Sequence, residues 1–233
     1  MHKYAFFDID NTIFDGYCTS DFYFFLAKRG FVKNTDFVYR RDKEIGKDYH
    51  SGKIDYAEAS RQVVQLIADI LKGFSKKKVK IWKEEFIKDH NKLFDWVKPL
   101  FDFLESDDFF IYLISAAASP PVEAISDFLK TDKFYASNLM TKDDIYTGKI
   151  DFLLNYEEKT KLIHRITSHL EHSFKIGFGD SLGDVDMLKH MNKAFLYQPI
   201  KKELITLAKE EEMYIVDKNN ILATVKRNLK FNR

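Results

Sequence analysis

Cysteine is almost missing from this chain: Cys18 is the one thiol in 233 residues, so no internal disulfide can form and no thiolate metal cluster can assemble. A lone thiol suits a reducing compartment and a structural role. Proline is scarce too, four residues in all and none before Pro99, so the stretch from Cys18 to Trp96 lacks the residue that most firmly ends helices. Charge of either sign is not in excess. With 37 basic and 36 acidic residues the formal net charge is +1, which withholds the footprint of a nucleic-acid binder. No apolar run reaches membrane-spanning length, and Met1-His2-Lys3-Tyr4 lead into a strand without the regions of a signal peptide. These absences lead to the expectation of a cytoplasmic protein with no membrane or nucleic-acid partner. What remains is an ordinary globular composition, 45% hydrophobic, long enough for one large domain or a core domain with an insertion.

The stretch Ala5-Phe6-Phe7-Asp8-Ile9-Asp10-Asn11-Thr12 organises the rest, because an apolar run fit for a buried strand ends in two carboxylates two residues apart. In an open parallel sheet the ligand crevice lies outside the carboxyl ends of the strands, which is where Asp8 and Asp10 fall. Two such acids could grip one hard cation or divide nucleophile and acid/base roles. A plain Asn/Asp turn explains the same letters.

Beyond Gly16 the composition shifts to helices rich in aromatic residues and lysine. Asp21 to Lys28, Thr35 or Asp36 to about Lys47, Asp55 to Lys72 and Ser75 to about Asn91 read as helices, with Gly30 and Gly73 closing two of them. Their Phe, Trp and Val residues recur at helical spacing, the mark of core packing. The α/β alternation resumes at Pro99. Leu100 to Ser106 reads as a helix, and Phe109 to Ile114 as a buried strand running into Ser115-Ala116-Ala117-Ala118-Ser119 and a proline-started helix. A serine with free backbone N–H groups at a helix start can hold a phosphate oxygen, and Ser115 or Ser119 can equally be an N-cap. Alternation around Lys142-Asp143-Asp144 predicts a hairpin. Glu157 to Leu170 reads as a helix with Lys159 near its start, where the dipole disfavours a cation. Phe174 to Phe178 is another short strand, ending in Gly179-Asp180-Ser181-Leu182-Gly183-Asp184, and strand and helix then alternate to the end. Carboxylates converging without histidine or cysteine make an all-oxygen site suited to Mg²⁺ rather than Zn²⁺.

Taken in order, Asp8-Ile9-Asp10-Asn11-Thr12, Ser115 after a buried strand, Lys159, and Gly179-Asp180-Ser181 with Asp184 resemble the four motifs of the haloacid dehalogenase superfamily. The helical insertion after the first motif, with Ile145-Tyr146-Thr147-Gly148-Lys149-Ile150, is similar to the phosphoserine phosphatase-like branch. The resemblance implies an α/β fold with a three-layer Rossmann-like core and parallel sheet over 1–16 and 98–233, and an inserted α-helical cap over 17–97. It further implies a hydrolase of small phosphorylated metabolites. Asp8 would be the nucleophile and Asp10 the acid/base. Mg²⁺ would be held by Asp8, the Asp10 carbonyl and Asp180, and phosphate by Ser115, Ala116 and Lys159, preferred over Lys161. Thr12 and Asp184 would support from behind. Two rivals remain at this point: phosphoserine phosphatase proper, and a non-catalytic regulatory or binding protein on the same scaffold. The glutamate and arginine with which phosphoserine phosphatases meet their substrate's ammonium and carboxylate fall at Tyr17 and Val63, and Arg61, about 200° around the helix from Val63, should face elsewhere. The expected substrate is therefore a phosphomonoester other than phosphoserine, met by a cap entrance of Tyr17, Phe22, Tyr23, Phe24 and Phe25.

Overall fold

The computed structural model describes residues 1–229 apart from 34, 90 and 171; the parts of the expected cap and core at those positions and at 230–233 lie outside the described residues. Strand β1 (Lys3–Phe7) is followed by four helices, α1 (Cys18–Lys28), α2 (Thr35–His50), α3 (Tyr56–Leu71) and α4 (Lys76–Asp89). Then come α5 (Val97–Ser106), β2 (Phe109–Ala118), α6 (Ser119–Leu129), the hairpin strands β3 (Lys133–Lys142) and β4 (Ile145–Phe152), and α7 (Tyr156–Ser168). Strand β5 (Phe174–Gly179) leads through a 3₁₀ turn (Leu182–Asp184) into α8 (Val185–Lys189), followed by β6 (Lys193–Tyr197), α9 (Lys202–Glu210), β7 (Tyr214–Val216) and α10 (Ile221–Leu229). The sheet order is β4-β3-β2-β1-β5-β6-β7, parallel except for the β3–β4 pair. No helix among the described residues is long and apolar enough to cross a membrane.

Alternation along β1 sends its side chains to both faces of the sheet, and each face has its own apolar layer. Ala5 and Phe7 join the core under α5, α6 and α10, whereas Phe6 joins Leu162, Ile163, Leu188 and Leu204 under α7, α8 and α9. Helices on both faces of a parallel sheet make the three-layer, Rossmann-like arrangement. The first of these cores runs on without a break into α1–α4, through Phe14, Phe22, Val64 and Phe86.

Local chemistry explains where boundaries differ from the sequence expectation. Helix α1 begins at Cys18, not Asp21, because its first N–H donates to the Asp10 carboxylate at 2.8 Å, so the cap comes from eight residues upstream. Strand β2 continues past Ile114 to Ala118, with its register against β3 broken between those residues. At the hairpin, Asp143 and Asp144 have φ of 49° and 61°, the left-handed pair that a two-residue connection requires.

Candidate active site

The geometry starts from the sheet register. Phe7 of β1 lies opposite Phe178 of β5, their rings stacked 4.2 Å apart, and the N–H of Asp8 donates to the Phe178 carbonyl at 3.0 Å. Asp8 therefore falls level with Gly179, the last residue of β5, and Asp180 follows one residue beyond. After Asp8 the chain folds tightly: the N–H groups of Thr12, Ile13 and Phe14 all donate to the Ile9 carbonyl, and Asn11 takes a left-handed φ of 58°. This turn brings the Thr12 hydroxyl to 3.3 Å from Asp8 Oδ2 and 3.3 Å from Asp180 Oδ1.

Lys159 reaches the cluster from the first turn of α7, whose N-cap Asn155 accepts from the Glu158 N–H at 3.0 Å. Its Nζ donates to Asp8 Oδ1 at 2.8 Å and Asp184 Oδ1 at 2.6 Å, all three side chains being buried. Lys161 instead pairs with Glu158 at the surface. Asp184 Oδ2 accepts from the N–H groups of Asp180 and Ser181 and from the Ser181 hydroxyl, so this acid holds the loop around itself. Gly179 is required there for space: a Cβ on it would lie 2.4 Å from Asp184 Cβ. Ser115 is buried, and its hydroxyl oxygen accepts the Ala117 N–H at 3.2 Å.

Asp8, Asp10, Ser115, Ala116, Lys159, Asp180 and Asp184 line one cavity of about 90 Å³. Thr12 stands behind it. Tyr17, Tyr56, Asn155 and Ser181 also form its wall; Tyr17 and the motif residue Ser181 figure in the sequence analysis, Tyr56 and Asn155 do not. Asn155 carried a signal in its spacing to Glu158, that of an N-cap, whereas Tyr56 carried none.

Charge is crowded. Burial, then the neighbouring Asp184, pushes the Asp8 carboxyl well above the usual range, against the pull of Lys159. Asp180 is pushed up to about 7 by burial and Asp184, and Asp10 to about 6, chiefly by burial. Burial alone would lower Lys159, but Asp184 and Asp8 outweigh it and hold the ammonium charged. Carboxylate oxygens of Asp8, Asp180 and Asp184 lie within 4.8 Å of one another. A purely oxygen set with more negative than positive charge fits a hard divalent cation. The Asp10 carbonyl accepts no hydrogen bond among the described residues and is free to contribute.

Residues 5–189 match the model of the haloacid dehalogenase-like hydrolases, and the chain belongs to that family. Among solved structures, a protein of unknown function from Bordetella pertussis Tohama I superposes with a TM-score of 0.79 at 19% identity, over 94% of this chain and 99% of that one. A substrate-bound phosphoserine phosphatase gives 0.66 at 20% identity, over 99% of each chain. A phosphoserine phosphohydrolase-like protein from Francisella tularensis gives 0.66 at 18%, over 96% of this chain and 99% of that one. A search of curated proteins returned no match. At these identities the structural likeness speaks for the fold.

Proposed function

We propose that the protein is a Mg²⁺-dependent phosphomonoester hydrolase acting on a small phosphorylated metabolite through an aspartyl-phosphate. The observation that carries this reading is the arrangement of Asp8: a buried carboxylate bonded to Lys159, in one cavity with Asp10, Ser115 and Asp180. An Asp8 oxygen attacks phosphorus as the ester P–O bond breaks, and Asp10 gives its proton to the leaving alkoxide. Asp10 then takes a proton from water, which attacks phosphorus, releasing phosphate and restoring Asp8. A carboxyl poised near 6 suits both transfers. Lys159, the Ser115 hydroxyl and the Ala116 N–H meet the phosphoryl oxygens. Asp8, the Asp10 carbonyl and Asp180 would hold Mg²⁺, which when bound would neutralise charge between anionic nucleophile and anionic substrate. Asp184 and Thr12 position Lys159, Asp8 and Asp180.

Residues 17–97 act in this reading as the cap over a core of 1–16 and 98–233, and the buried lone thiol of Cys18 supports a cytoplasmic setting. A purely structural role would account for the pairing of Asp8 with Lys159 but not for the cavity that Asp8 shares with Asp10, Ser115 and Asp180. The test is phosphate release from an aryl phosphate with Mg²⁺, for the native chain and Asp8→Asn. Turnover by the native chain and loss of at least about 10³-fold in the variant are expected. Near-native release by a folded Asp8→Asn protein would sink the nucleophile assignment.

A further inference from the structure

Next to the phosphoryl site lies a larger cavity, of about 450 Å³, and the two share Asp10, Tyr17, Tyr56 and Ala116 in their walls. A leaving group bonded to phosphorus at Asp8 would continue into it past Asp10. Only two of the five aromatics expected at the cap entrance line this space. Phe22, Tyr23 and Phe25 are instead buried, Phe22 and Phe25 against Phe86 of α4 and Tyr23 with its hydroxyl on Asp42 of α2, whereas Tyr17 and Phe24 are joined by Tyr49 and Tyr56 of α2 and α3. Tyr17, Tyr49 and Tyr56 are 60%, 38% and 53% exposed, an unusual gathering of large rings around one opening.

The charges in these walls are unequally matched. Both Asp21 oxygens meet Lys92 Nζ, at 3.0 and 3.1 Å, so that lysine is engaged. His50 has its Nδ1 2.6 Å from the Gly46 carbonyl. Asp42 differs: the Tyr23 hydroxyl donates to its Oδ1, with the Ser20 hydroxyl 3.3 Å away, and no cation meets it among the described residues. Among the described residues no arginine lines the cavity; Arg61 pairs with Glu58 at the surface, and Val63 stands in the wall. A carboxylate-bearing leaving group would meet no arginine of the described residues here and a lysine already paired with Asp21, whereas a cationic one would find both aromatic faces and an acid that no described cation meets.

Resting on the phosphatase reading above, we propose that the substrates are phosphate monoesters of cationic amino alcohols without a carboxylate, with the ammonium held among Tyr17, Tyr49 and Tyr56 against Asp42. Phosphocholine and phosphoethanolamine are the probes, compared with phosphoserine and glycerol phosphate under identical Mg²⁺. At least about tenfold higher kcat/KM for the cationic esters is expected. In Asp42→Asn, the ratio of kcat/KM for phosphocholine to that for glycerol phosphate should fall about tenfold, mainly through KM, with the melting temperature reporting the fold. Equal or greater kcat/KM for phosphoserine or glycerol phosphate, or an unchanged ratio in the variant, overturns the proposal. Calorimetric titration of phosphocholine into Asp8→Asn protein separates the two readings. Binding that weakens when Asp42→Asn is added supports the cation site even if no ester is cleaved, and no binding overturns it even if aryl phosphate is cleaved.

Discussion

Lys159 spans two buried carboxylates, Asp8 and Asp184, and this makes it more than a contact for phosphate. Replacing it with methionine leaves both acids in a low-dielectric site without their counter-charge, an imbalance that costs about 3–5 kcal/mol. Lys161→Met, by contrast, breaks an exposed pair and should leave the native stability unchanged. Urea unfolding of the two variants checks the difference; equal midpoints would deny Lys159 its structural part. The sequence pointed to Lys159 because a cation at a helix start is electrostatically out of place. The structure supplies the reason: the carboxylates of two other elements converge on it. Asp42 left no comparable trace, since an aspartate within a charged amphipathic helix reads as solvated until the cavity beside it is known.

At the scale of elements, the buried strands were the most legible, for β1 and β5 are short apolar runs that end at their acids. The start of α1 was not, because its cap is Asp10, a long-range partner that no local pattern encodes. The roles of Phe22, Tyr23 and Phe25 were likewise misplaced, since helical spacing shows which rings share a face but not which face meets solvent. The loop after β5 depends on one close approach. Gly179→Ala forces a methyl group against Asp184 Cβ and should cost about 1–3 kcal/mol while displacing the acid that orders Asp180 and Ser181. Reduced melting temperature together with reduced phosphate release checks it; an unchanged protein would mean the loop can give way.

The β3–β4 hairpin is tied to the α3–α4 link: Gly73 N–H donates to the Tyr146 carbonyl at 2.8 Å and Tyr146 N–H to the Phe74 carbonyl at 2.9 Å. Burial, then Glu123, pushes the Tyr146 hydroxyl up to about 12. The folded chain therefore keeps a proton that the unfolded chain loses near pH ~10, so stability falls as pH rises from about 10 to 12. Tyr146→Phe should flatten that decline, read from urea midpoints across this range. An equally steep decline in the variant would assign it to other groups.

For the molecule as a whole, the apolar core under α5, α6 and α10 extends unbroken into α1–α4. The helical insertion and the sheet should then melt together rather than one after the other. Chelation should abolish turnover. Adding Mg²⁺ at 100 times its dissociation constant should stabilise the metal-free fold by about 2.7 kcal/mol, visible as a single shifted transition. A melting curve indifferent to Mg²⁺ would contradict the proposed ligands. Two separate transitions would contradict the shared core.

The pairing of β1 with β5, with Phe7 stacked on Phe178, has a consequence for how firmly the two acids are placed. Because Asp8 follows directly on β1 and Asp180 directly on β5, their placement is tied to the hydrogen-bonded pairing of those strands rather than to the length of any loop. The sheet thus acts as a caliper set from inside the protein. In the proposed reading, an ion held by both acids is measured against a gap that the paired strands set, with the stacked rings of Phe7 and Phe178 behind it in the core.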